Sequence, residues 1–326
     1  MDVITFGEAM VRLAPANFRR LEQAASLDVE IGGAELNTAV GLARLGRSAA
    51  WVSRLTDNPL GRLVAGRARA AGVSARHIQF TDVDRVGLYF LENGAAPRAS
   101  TILYDRAESA MARIEPGMSD WPKVLEGSGW FYTTGITAAL SPTAADATLE
   151  ALRAAKAAGL ITCLDPNYRA KLWTVEAARA WLAEAIQSVD VLVTNPEDVE
   201  RFFGVPGADP GKAAAAAAQQ YQLLTVAMTV RQTPSVWRNV VSAVGHAGGR
   251  TVQAPSYEVE VVDRLGSGDA FVAGLLYGLL DGDLEKGLTY GTAMSALKHT
   301  IPGDFPWLTR AEVEGLIQGG GLRISR

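Results

Sequence analysis

Val259-Glu260-Val261-Val262-Asp263-Arg264-Leu265-Gly266-Ser267-Gly268-Asp269-Ala270-Phe271-Val272-Ala273-Gly274 joins a β-branched run to an apolar helical run through a Gly-Ser-Gly turn. Glycines let successive backbone N–H groups point inward without interference from Cβ. The helix that follows adds the partial positive charge of its N-terminus, so the turn suits an anion such as phosphate. Asp269 is out of place there, because a carboxylate repels a phosphate. Two readings stand: a base that takes a proton from an attacking hydroxyl, or a helix cap.

The same strand-then-helix rhythm extends outward along the chain. Apolar runs rich in β-branched residues fall at 3–6, 50–52, 130–133, 161–164, 189–194 and 223–230. Between them, apolar residues recur at helical spacing over 36–45, ending at Gly46, and over 143–158, ending at Gly159. Residues 213–222 form an alanine-rich stretch introduced by Pro210 and Gly211, which reads as a surface helix of high intrinsic propensity. This alternation predicts an α/β fold with a mainly parallel sheet covered on both faces. Two stretches interrupt it, 11–31 and 78–102, and the second reads as a β-hairpin around Asn93-Gly94-Ala95-Ala96-Pro97. Paired together they predict a small β-sheet lid over an active site. The expected division is a core of 1–10, 35–76 and 111–326, with a lid of 11–34 and 77–110.

Of the 326 residues 48% are hydrophobic and 20% charged, enough apolar content for a core. A net charge of -4 with no basic cluster argues against a nucleic-acid partner. The single cysteine, Cys163, rules out a disulfide within the chain and a cysteine-based zinc site. His77, His246 and His299 are too scattered to argue a metal cluster or a Ser-His-Asp arrangement. Trp173, Trp237 and Trp307 read as packing residues. The first residues carry no secretion-signal pattern, and the apolar stretch 271–280 is half the roughly 20 residues of a membrane span, so a cytoplasmic protein is expected.

The turn Asp263-Arg264-Leu265-Gly266-Ser267-Gly268-Asp269 resembles the C-terminal signature of the ribokinase-like (PfkB) sugar kinases, approximately Asp-Thr-x-Gly-Ala-Gly-Asp, with Arg264 in place of Thr. A second match, Gly32-Gly33-Ala34-Glu35-Leu36-Asn37-Thr38-Ala39, lies near the N-terminus, and a third, Asn195-Pro196-Glu197-Asp198, is similar to the family's Asn-x-x-Glu element. The resemblance runs from Gly7 to Asp304. It implies a three-layer ribokinase-like sandwich, Asp269 as base, and Gly266, Ser267 and Gly268 holding the transferred phosphoryl. It also implies nucleotide contacts from Asp165, Asn167, Asn195 and Thr229, with magnesium at Asp198, and a monovalent cation. Where many relatives carry Thr-x-Gly-x-x-Gly, this chain has Thr229-Val230-Arg231-Gln232-Thr233-Pro234, which offers Arg231 and Arg264 as phosphate contacts instead.

Within the family, Tyr89, the Tyr104-Asp105-Arg106-Ala107 segment and Asp165-Pro166-Asn167-Tyr168-Arg169 are similar to those of 2-keto-3-deoxygluconate kinases. Two arginines, Arg106 and Arg169, suit a carboxylate-bearing sugar by their fork geometry. The tyrosines equally suit cross-strand packing. Gly32, Gly33, Asn37 and Asp304 are the remaining substrate residues the resemblance implies. The implied reaction is ATP-dependent phosphorylation of the acid sugar at its terminal hydroxyl. A neutral-sugar kinase of the fructokinase or ribokinase type, and a silent sugar-binding regulator, are the alternatives. Pairing of subunits through the lid is a further expectation from the resemblance.

Overall fold

The computed structural model describes residues 1–235 and 237–320. Its strands in chain order are β1 (Val3–Phe6), β2 (Met10–Ala14), β3 (Asp28–Gly32), β4 (Ala49–Thr56), β5 (Ser74–Thr81), β6 (Leu88–Glu92), β7 (Thr101–Asp105), β8 (Trp130–Thr134), β9 (Ile161–Asp165), β10 (Val191–Thr194), β11 (Thr225–Ser235), β12 (Arg238–Ala247), β13 (Arg250–Gln253) and β14 (Tyr257–Glu260). The helices are α1 (Ala34–Arg44), α2 (Pro59–Ala70), α3 (Trp121–Leu125), α4 (Gly135–Ala138), α5 (Pro142–Ala157), α6 (Val175–Ala185), α7 (Pro196–Phe203), α8 (Pro210–Tyr221), α9 (Ser267–Leu279), α10 (Leu284–Lys298) and α11 (Arg310–Ile317). Among the described residues no helix is long and apolar enough to cross a membrane.

The central sheet runs β13-β12-β11-β10-β9-β8-β1-β4-β5, with β14 paired to β12. Strands β11 through β5 along that order are parallel, and the β12 pairings are antiparallel. Both faces are covered, which is why the inner strands read as continuous apolar runs. In β1, Val3 enters the core layer built by α1, α2, α9 and α10, whereas Ile4 and Phe6 enter the layer built by α5, α6, α7 and α8. Cys163 in β9 is fully buried. The alanine-rich α8 is not merely a surface helix: Ala213, Ala214 and Ala217 are buried against the sheet.

The second sheet has the order β3-β2-β6-β7 and holds the predicted hairpin β6–β7 as an antiparallel pair. Its boundary differs from the one expected at 77. Residues 77–81 belong to β5, which pairs in parallel with β4 at the edge of the central sheet. An edge strand is half-buried and mixed in polarity, so its sequence resembles a lid strand. Strands β12 and β13 were not visible in the sequence, the strand read at 259–262 is β14, which ends at Glu260, and 229–234 lie within β11, whose register against β12 shifts between Gln232 and Ser235, with no glycine loop.

Helices α9 and α10 cross at very close range, and this sets the site because Asp269 opens α9 while Lys298 closes α10. A Cβ on Gly278 would lie 2.1 Å from the Gly287 nitrogen, and one on Gly274 would lie 2.5 Å from the Gly291 nitrogen. These are backbone atoms, which cannot step aside without parting the helices. Helix propensity alone would have Gly278→Ala stabilise by ~1 kcal/mol. Overpacking decides the sign the other way, and we expect a loss of about 1–3 kcal/mol, read as a lowered Tm.

Candidate active site

Gly266 adopts φ +77, and a Cβ there would sit 2.0 Å from the Asp304 carbonyl oxygen, so the turn requires glycine twice over. Helix α9 begins at Ser267 with no side chain capping it, and nothing lies within 4 Å of where a Gly268 Cβ would be. The first turn of the helix is therefore open to a ligand. Asp269 lies in that turn, buried, and accepts a 2.6 Å hydrogen bond from Asn37 Nδ2. Burial pushes its carboxyl up to about 6, against the opposing pull of Asn37 and Arg169. Of the two readings for Asp269, the cap finds no support, since α9 has no side-chain cap bond.

Two clefts meet at this turn. Gly266, Leu265, Arg169 and Asp269 line both. The cleft on the lid side adds Gly32, Gly33, Asn37, Tyr89, Tyr104, Arg106 and Asp304, so it gathers every residue assigned to substrate from sequence. A Cβ on Gly32 would lie 2.2 Å from Asp304 Oδ2, and one on Gly33 2.1 Å from the Glu8 carbonyl oxygen. Tyr89 donates to Asp304. Tyr89 and Tyr104 are also register partners on β6 and β7, with ring centroids 5.9 Å apart, so they both pack across the strands and face the cleft.

Arg106 differs from its sequence reading as a group given over to substrate. Its guanidinium is already paired with Glu8, a buried carboxylate that also accepts from Ser109. Its Nε is buried with no hydrogen-bond partner, and the ring of Tyr104 lies 5.6 Å away. Arg169, by contrast, is exposed at the junction of the two clefts.

The other cleft, of about 480 Å³, collects Asp165, Asn167, Asn195, Asp198, Thr229, Arg231 and Arg264 with Gly266, Ser267 and Gly268. Asn167, at φ +42, donates its backbone N–H to Asp165 Oδ1 at 2.9 Å. Burial, reinforced by Asp269, pushes Asp165 up to about 7. Asn195 caps α7 and donates to Asp198 Oδ2 at 2.8 Å. Among the described residues no group of three or more His, Cys, Asp or Glu side chains could hold a metal by itself. Magnesium keeps much of its water and takes one or two carboxylates beside phosphate oxygens, and the buried Asp198 in an anion-receiving cleft fits that donor set.

Sequence reading missed the charges behind these walls. Arg12, on β2, pairs with Asp263 at 2.7 Å and Asp304 at 2.8 Å, and all three are buried. Burial opposes its charge, but Asp304 and Asp263 outweigh that and hold the guanidinium more basic than usual. Glu35 accepts from Thr134 and Thr137, is pushed up to about 7 by burial, and occupies the space a Cβ on Gly7 would need. The one available signal for Arg12 was a charge alternating with apolar residues inside a strand.

The proteins this chain is similar to are carbohydrate kinases. The chain is 39% identical, over 100% of its length and 99% of the relative's, to a 2-dehydro-3-deoxygalactonokinase of Haloferax volcanii. It is 27% identical to a fructokinase-2 of Solanum lycopersicum, covering 98% of this chain and 96% of that one. The solved structure of a 2-dehydro-3-deoxygluconokinase from Thermotoga maritima superposes with TM-score 0.94 at 40% identity, covering 98% of this chain and 100% of that chain. Residues 1–305 match the description pfkB family carbohydrate kinase, and the protein, a phosphotransferase acting on a sugar hydroxyl, belongs to that family.

Proposed function

We propose that the protein transfers the γ-phosphoryl group of ATP to the terminal hydroxyl of 2-keto-3-deoxygluconate, giving the 6-phosphate. The observation that carries this reading is the pair Arg106 and Arg169 beside Asp269 on one cleft under the lid. Glu8 already balances the Arg106 charge, so the discrimination falls chiefly on the exposed Arg169, to which a neutral sugar offers no counter-charge and an aldonic acid offers a carboxylate. The relatives from Haloferax volcanii and Thermotoga maritima, named for 2-dehydro-3-deoxy acids, favour the same class. Phosphorylation of the C4 epimer, 2-keto-3-deoxygalactonate, is the second reading, which the 39% identical relative favours.

In this mechanism Gly32, Gly33, Asn37, Tyr89, Tyr104 and Asp304 orient the sugar, with Arg106 and Arg169 on its carboxylate. Asn37 holds the Asp269 carboxylate toward the hydroxyl, and Asp269 takes the proton as the hydroxyl attacks. Gly266 and Gly268 present N–H groups to the charge that develops on the phosphoryl oxygens, and Ser267, whose N–H donates to the Arg264 carbonyl, closes the turn that aims them. Asp165, Asn167, Asn195, Thr229, Arg231 and Arg264 line the nucleotide side. Asp198, acting through water, would hold magnesium, which supplies charge neutralisation to the nucleotide's phosphates.

The test is turnover with magnesium and ATP on 2-keto-3-deoxygluconate, 2-keto-3-deoxygalactonate, fructose, ribose and adenosine. We expect turnover confined to the acid sugars. Turnover on a neutral sugar overturns the substrate, and silence on all five favours a regulator or a substrate outside the five. Arg106→Lys keeps a charge beside Glu8 but loses the fork, and should raise KM for the acid sugar about tenfold with kcat nearly unchanged.

Asp269→Asn should lower kcat by about 10²–10⁴-fold with substrate binding retained, because a positioned base contributes that much. The base must be ionised to act, and burial favours its neutral form. Activity of the native enzyme should accordingly fall as pH drops below about 6 and level off above it, measured as kcat/KM against pH.

A further inference from the structure

Lys298, the last residue of α10, is 0% exposed, which for an ammonium group demands a compensating environment. Its Nζ donates to the main-chain carbonyl oxygens of Ile301, at 2.9 Å, and Asp263, at 3.5 Å. Carbonyl oxygens converging on a buried positive charge are the surroundings a bound hard cation seeks. Both carbonyls belong to the scaffold of the anion turn. Asp263 begins the turn and accepts from Leu265 N–H and Gly303 N–H, and Ile301 leads into Gly303-Asp304, against whose backbone Gly266 packs.

Burial works against the ammonium and lowers its pKa, and Arg12 adds to that, while Asp263, Asp304 and Asp269 face Lys298 and attract its charge. The neighbouring His299 is held neutral, pushed down to about 4 by burial, so it cannot replace Lys298. We propose that Lys298 is a tethered cation, which holds the carbonyl at the start of the anion turn to that of the 301–304 segment packed against it and supplies positive charge behind the turn. A separate monovalent cation, implied by the family resemblance, does not fit at these carbonyls, since the ammonium already takes them. Lys298 touches no reacting atom; it is a positioning residue.

This proposal rests on the reading that the transferred phosphoryl is held at Gly266–Gly268. The experiment measures turnover of the full chain at constant ionic strength in potassium, sodium and tetramethylammonium chloride. We expect the native enzyme to run at one rate in all three salts, and activation by potassium overturns the proposal. Lys298→Met should raise KM for ATP, or lower kcat, about ten- to a hundredfold in tetramethylammonium, the scale expected for a lost electrostatic group near the phosphoryl. Potassium or ammonium should then restore much of that loss. A folded Lys298→Met enzyme, checked by its Tm, that keeps native kinetics or ignores every cation overturns the proposal. Should the variant fail to fold, the salt comparison on the native enzyme still decides. Failure of the underlying reading is separate, because it would show as an Asp269→Asn enzyme that still turns over.

Discussion

One guanidinium ties the two sheets to the chemistry. Arg12 leaves the lid strand β2 and meets Asp263, at the root of the anion turn, and Asp304, at the edge of the sugar-side cleft. Each partner is committed again: Asp263 to the backbone of Leu265 and Gly303, Asp304 to Tyr89 on β6. Three buried charges in one cluster hold only as a set, and breaking such a set costs about 3–5 kcal/mol. Strand β2 therefore cannot part from the turn without stranding two carboxylates. Freedom in the lid belongs to the far strand β7, whose Thr101, Leu103 and Asp105 are exposed.

Charge is distributed through the site with a consistent logic. Carboxylic acids that face the clefts, Asp165 and Asp269, are pushed upward by burial, and cations stand around them at graded depth. Arg12 and Lys298 lie wholly inside, while Arg169 and Arg231 reach the cleft. A ligand bearing several negative charges thus meets exposed positive groups first, and the buried ones compensate the acids behind them. Arg169 belongs to both clefts, so whatever fills one of them changes the field felt in the other.

Much of this was legible because it is local. Strands β1, β8, β9 and β10 announced themselves as apolar runs, and the Gly266-Ser267-Gly268-Asp269 turn carries its own reason for its residues. The substrate residues, spread from Gly32 to Asp304, were gathered by resemblance, and the fold brings them to one cleft. What stayed hidden depends on distance in the chain. Arg12 finds partners at 263 and 304, Glu8 finds Arg106, and Lys298 finds two carbonyl groups that have no sequence signal at all. Strands β12 and β13 were missed because an antiparallel edge exposes part of each strand and breaks the apolar run.

The only thiol in the chain belongs to Cys163, sealed in the middle of the central sheet with burial holding it well above its ordinary pKa. It is protonated and out of reach of reagents that attack thiolates. A cysteine placed at Leu103, on the exposed face of β7, would be the sole reactive sulfur in the folded enzyme. A fluorophore or spin label could then be attached to the lid without first removing a native residue, so its distance to the core becomes directly measurable.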